Sequence, residues 1–202
     1  MPNWCQNSVK IYHSNLEMME RFINAYKKGT VLQEFIPVPK SLIDTVSGFL
    51  SEKEEFRNDG KASQLEKEKI NMEVHGYKNW YDFCINEWGT KWDINPHEEL
   101  QVIHTHHFDG HLDNYRETIK EDGIHINFDS AWSPPLSAYN KLTDMGFYIK
   151  AMYYEPSMGF AGVWEDKEEL YFDSISDAKI SKNLPKELDE CFGISEELER
   201  TD

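Results

Sequence analysis

Apolar and polar residues alternate through Ser8-Val9-Lys10-Ile11-Tyr12, near the start of the chain, which predicts a first strand over residues 4–12 with one buried face. Leu16, Met19, Phe22, Ile23 and Tyr26 then recur at helical spacing. Ser14 or Asn15 is placed to cap this helix and Gly29 to stop it in the left-handed conformation. Val31 to Val38 reads as a short strand that Pro37 and Pro39 confine. From about Ser51 to Glu73, Glu and Lys dominate and Asn58-Asp59-Gly60 marks a turn, the pattern of an exposed helical insertion over about 45–75. Tyr77, Trp80, Tyr81, Cys84, Ile85 and Trp88 put an aromatic stripe down one helix before Gly89.

The second half carries strand signals at Leu100 to His106 and at Ile124-His125-Ile126-Asn127-Phe128. A helix follows from Ser133-Pro134-Pro135, with Leu136, Tyr139, Leu142 and Met145 as its apolar face and Gly146 as its stop. Phe147 to Tyr154 and Phe160 to Phe172 read as a hairpin joined by the turn-rich Glu155-Pro156-Ser157-Met158-Gly159. Short helical pieces near Pro185 to Phe192 and Ser195 to Arg200 lie in an acidic tail, residues 176–202. This order predicts an α+β fold over residues 1–175: a ferredoxin-like sandwich with an antiparallel or mixed sheet, helices on one face and the charged insertion as an elaboration.

Charge narrows the partners. The chain has 37 acidic and 21 basic residues among 202, a formal net charge of −16. Such a field repels phosphate backbones and attracts basic protein surfaces, so the expected partner is protein and not free nucleic acid; solubility alone accounts for the same charge. Cys5, Cys84 and Cys191 are far apart without a CxxC spacing, as in a reduced cytoplasmic protein, and neither a secretion signal nor a membrane span is expected. The nucleophile elbow, the P-loop and the dinucleotide fingerprint are all missing from the sequence.

Two constellations remain. His104-Thr105-His106-His107-Phe108-Asp109-Gly110-His111 puts His107, Asp109 and His111 on one face if the segment is a strand. Two imidazoles and a carboxylate suit zinc or non-haem iron and would make a metal-dependent hydrolase; a solvated polar turn accounts for the same residues. The six tryptophans, several beside polar or turn residues, are the second. An aromatic sheet face could stack nucleotides or RNA bases, although such platforms come with Arg and Lys; aromatic packing between sheet and helices is the other explanation.

Four segments together resemble the YubB ferredoxin-like family, the Api-type proteins of phages, plasmids and related mobile elements. They are Met1-Pro2-Asn3-Trp4-Cys5-Gln6-Asn7, Asn79-Trp80 with Trp88-Gly89-Thr90-Lys91-Trp92-Asp93, Ala131-Trp132-Ser133-Pro134-Pro135, and Tyr154-Glu155-Pro156-Ser157-Met158-Gly159-Phe160-Ala161-Gly162. The resemblance implies the ferredoxin-like topology, without an iron–sulfur cluster, and carries no established activity. Ser157 stands where the family has a glycine-rich turn, and the histidine cluster is not part of the family pattern. The motif residues fall at element ends, where rigid scaffolds place binding groups. Asn3, Trp4, Lys91, Trp92, Asp93, Trp132, Glu155 and Gly159 are therefore expected to form one site, with corner packing of the fold as the alternative. The functional expectation is a non-enzymatic accessory protein of a mobile element that offers an acidic interaction surface to a protein partner.

Overall fold

The computed structural model describes residues 3–46, 59–96, 101–103, 123–176 and 183–201. Strand β1 (Trp4–Tyr12) leads into helix α1 (Leu16–Lys28), which Asn15 caps by accepting the Glu17 N–H at 2.9 Å. Gly29, at φ 66°, closes it in the left-handed conformation. Residues 31–35 form helix α2 (Val31–Phe35), not the expected strand. Val31, Leu32 and Phe35 share its buried face, and amides in its first turn are held by Asp93. A burial pattern of five residues does not separate strand from helix, and the partner that decides is sixty residues away.

Helix α3 (Lys40–Ile43) and helix α4 (Asp59–His75) follow; Asp59 and Gly60, expected in a turn, begin α4. Leu65, Ile70, Met72 and Val74 of α4 are exposed, whereas Asn71 is buried and its amide donates to the Ser41 and Lys78 carbonyls. The aromatic stripe is split between α5 (Trp80–Phe83) and a π-helical turn (Cys84–Trp88) that ends at Gly89, φ 82°. Strands β2 (Asn95–Pro96) and β3 (Gln101–Ile103) precede β4 (Gly123–Ala131), helix α6 (Leu136–Asp144) and β5 (Tyr148–Glu155). The expected strand over 160–172 is two, β6 (Phe160–Glu165) and β7 (Glu168–Phe172), because Asp166 and Lys167 turn back at positive φ. Helices α7 (Lys186–Phe192) and α8 (Ile194–Thr201) complete the described residues.

Among the described residues, seven strands form one sheet in the order β2-β4-β1-β5-β6-β7, with β3 also on the outer edge of β4. Every pairing is antiparallel. Taken with the helices, β1, the β2/β3 edge, β4 and β5 make the ferredoxin-like core, and β6 and β7 extend it beyond β5. Val9, Ile11, Ile124, Ile126, Phe128, Ile149 and Ala151 line one face and pack against α1, α2 and α6 in the main core. The opposite face is not left bare. Met152, Tyr154 and Ala161 meet Leu184, Leu188, Phe192, Ile194 and Leu198, so the segment expected as an acidic tail is docked on the sheet by an apolar stripe. Among the described residues, no helix is long and apolar enough to cross a membrane.

Candidate functional site

Six of the eight expected site residues lie at one end of the sheet, at the start of β1 and in two loops, and hydrogen bonds tie these segments together. The Trp132 N–H donates to the Asn3 carbonyl at 2.9 Å, Thr90 Oγ1 donates to the Ala131 carbonyl at 3.0 Å, and Ser133 Oγ donates to the Gly89 carbonyl at 2.7 Å. Gly89 must be glycine for two reasons: its φ is +82°, and a Cβ there would lie 3.2 Å from the backbone nitrogens of Leu136 and Ser137. The close approach sets the loop carrying Lys91 and Trp92 against the start of α6.

On this frame Trp4 and Trp92 pack with ring centroids 5.9 Å apart. The Lys91 ammonium lies 4.6 Å from the Trp92 ring, 5.2 Å from Trp132 and 5.7 Å from Tyr81, and Tyr81 meets Trp132 edge-on at 6.3 Å. One cation is thus shared by three aromatic faces, a stabilising arrangement that fixes the lysine among the rings. Trp4, Trp92 and Trp132 stay 39–40% exposed, whereas Trp88 and Trp164 are 4% and 2% exposed. Trp132 also has φ 70°, a conformation that costs a bulky residue about 1–2 kcal/mol.

Asp93, and the two expected residues outside this end of the sheet, make contacts of other kinds. The Asp93 carboxylate accepts N–H bonds from Leu32 at 2.9 Å, Gln33 at 2.8 Å and Ile94 at 2.8 Å, and so caps α2 in place of Thr30, whose side chain makes no capping bond. Burial raises the Asp93 carboxyl above its usual value, against these bonds, which lower it. Glu155 is fully buried and folds back on its own turn, accepting from the Ser157 N–H at 3.0 Å and from the Met158 N–H. Gly159 closes that turn at φ 70°, its N–H bonding the Glu155 carbonyl at 3.0 Å. Asp93 thus holds the start of α2, and Glu155 and Gly159 hold the turn after β5. His107, Asp109 and His111 lie outside the described residues, and among those described no group of three His, Cys, Asp or Glu side chains could hold a metal ion. Of the exposed tryptophans, Trp92 and Trp132 stand in loops and Trp4 begins β1.

Sequence reasoning missed a hollow of about 370 Å³ that begins at Trp132 and Gly89 and runs to Phe160, Glu169 and Tyr171. Its floor depends on Gly162. Tyr153 lies directly over that glycine, where a Cβ would collide with the phenol ring and come within 2.8 Å of the Leu170 carbonyl oxygen. The Tyr153 hydroxyl thereby reaches across β6 and donates to the Glu169 carboxylate on β7. Burial and this bond push the phenol upward, so it stays a donor. The alternation of Glu169 and Tyr171 in β7 was the available signal, and the strand's position at the sheet edge was not.

A second hollow, about 530 Å³, lies on the opposite face between β1, β4 and α7. Ser8 Oγ and His125 Nε2 are 2.7 Å apart there, and Cys191 is beside them. The separation suits a nucleophile and its base, but Ser8 sits mid-strand in β1, paired on both sides, so its own backbone is committed to the sheet. Desolvation raises the Cys191 thiol above its usual value, against its hydrogen bond with Ser8.

No family model and no curated protein matches the chain. Among solved structures, the crystal structure of the protein api92 from Yersinia pseudotuberculosis, of the DUF1281 family, is similar to it. The TM-score is 0.39 and the identity 10%, over 86% of this chain and 98% of that one. At this similarity it transfers no residue role.

Proposed function

We propose that the chain is a non-enzymatic binding protein that holds another protein through the surface formed by Trp4, Tyr81, Lys91, Trp92 and Trp132. The exposure of the three tryptophans is the observation that carries the reading. Packing alone buries a tryptophan, as it does Trp88 and Trp164 in this same fold. Half-exposed, preorganised aromatic rings around a fixed cation are instead the composition of interaction hot spots. The strained backbone of Trp132 points the same way, because glycine would be cheaper at φ 70°.

The charge of −16 acts at longer range, steering a basic partner towards the surface. The resemblance to mobile-element proteins supports a host or phage protein as that partner. Association is expected to slow as salt rises, while the aromatic contact sets how long the complex lasts. The test is capture of one identified partner by the wild-type protein and by Trp92→Ala and Trp132→Gly. The reading requires both variants to lose it while keeping the wild-type melting profile within a few degrees; retention by both overturns it.

The metal reading of His107, Asp109 and His111 keeps its own test. Stoichiometric zinc or iron in protein purified without chelator, lost from a His107→Ala, His111→Ala double variant, would put a hydrolase in place of the binding protein.

A further inference from the structure

We infer that the hollow between Trp132 and β7 receives a lysine or arginine side chain of the bound protein, delivered by an extended segment lying along the β7 edge. The inference rests on the protein-binding reading above and names what the partner must present. Glu169 supplies the charge. Its carboxylate is oriented by the Tyr153 hydroxyl, and among the described residues no lysine or arginine forms an ion pair with it. Aromatic rings supply the walls: Phe160 lies 6.3 Å from Tyr153 and 5.9 Å from Tyr171, centroid to centroid, and Trp132 closes the far side. A carboxylate among aromatic faces is selective for a cation, which gains from both the charge and the ring quadrupoles. An anion would meet Glu169, and an apolar group would leave its charge without a partner.

The extended form of the occupant follows from β7. In the described sheet it is the outermost strand on its side, paired only with β6. Leu170 and Tyr171 are about half exposed, and Glu169 and Tyr171 lie two residues apart on the face that holds the hollow. An added strand would place alternate side chains over that face, one of them at Glu169. Glu168 and Glu169 also discourage a second copy of this acidic strand from pairing there, while favouring a basic one.

Two blocked peptides test this by NMR titration: acetyl-Thr-Val-Arg-Val-Thr-amide, and the same peptide with glutamine in place of arginine. The arginine peptide is expected to shift the Trp132 indole resonance and slow amide exchange over Glu168–Phe172, and to bind at least about tenfold more tightly than the glutamine peptide. Glu169→Gln, which keeps an oxygen to accept from Tyr153, should erase that difference, and the exposed Tyr171→Ala should weaken the arginine peptide. Equal binding of the two peptides, no shift up to millimolar concentration, or unchanged exchange along β7 would each overturn the inference. Trp92 lies outside the hollow, so partner capture by Trp92→Ala is read separately from the peptide titration of the wild type. Loss of the partner in Trp92→Ala without peptide discrimination therefore sinks the hollow alone, and the converse sinks the proposed function alone.

Discussion

Replacing Gly162 by alanine separates two opposite expectations. Gly162 has an ordinary negative or extended φ in the middle of β6, and at such a site alanine normally stabilises by about 0.4–1 kcal/mol by restricting the unfolded chain. Here the new methyl would enter the volume of the Tyr153 ring, which is fully buried, with the Leu170 carbonyl oxygen 2.8 Å away on the other side. Overpacking of this kind costs about 1–3 kcal/mol. Moving Tyr153 also breaks its bond to the Glu169 carboxylate, worth about 1.5–3 kcal/mol. The net expectation is a loss of about 2–5 kcal/mol, read as a lower denaturation midpoint at unchanged m-value. In a Tyr153→Ala background the same change should cost at least about 1.5 kcal/mol less, since the two residues are in contact. A Gly162→Ala protein as stable as the wild type, or equal costs in both backgrounds, would refute the packing argument and with it the account of how Glu169 is held.

Asp93→Ala should lower stability by about 2–3 kcal/mol in urea denaturation, because the amides of Leu32, Gln33 and Ile94 lose their common acceptor; an unchanged midpoint would return Asp93 to the list of binding residues. Trp132→Gly should leave the melting temperature unchanged or raise it, since relief of the left-handed strain offsets lost ring contacts, while partner binding is lost. Burial raises the Glu187 carboxyl, but Lys150 at 3.1 Å and Lys10 at 3.6 Å outweigh it and hold the group below its usual value. Its contribution is therefore present above the usual carboxylate range and disappears as pH falls through the lowered value. Comparing wild type with Glu187→Gln, the wild type should be more stable at neutral pH, by under about 1 kcal/mol because the pair is partly exposed, and the two should converge once the pH falls below the lowered carboxyl value.

The strands β1, β4 and β5, helices α1 and α6, and the two C-terminal helices were legible because each carries its own period of apolar residues and its own stop signal. Where the deciding contact is distant, the pattern misled. Val31 to Phe35 is helical because Asp93 caps it, and the residues after Ser176 look like a solvated tail until Leu188 and Ile194 find the far face of the sheet. The aromatic surface was legible in part for a similar reason. Motif residues at loop ends pointed to Trp4, Lys91, Trp92 and Trp132, but a polar residue in a motif can serve the fold as readily as a ligand, as Asp93 and Glu155 do. The hollow beside β7 depends on Tyr153 crossing Gly162 and on which strand lies outermost, both properties of the assembled sheet.

The most direct test of the binding surface is site-specific photo-cross-linking, with a benzoylphenylalanine placed at position 92 and, as a control, at the exposed Glu20 on α1. The account predicts a single discrete protein adduct from position 92 that is absent from position 20 and disappears when Trp132→Gly is added. The same adducts from both positions, or an adduct at position 92 that survives Trp132→Gly, would contradict it.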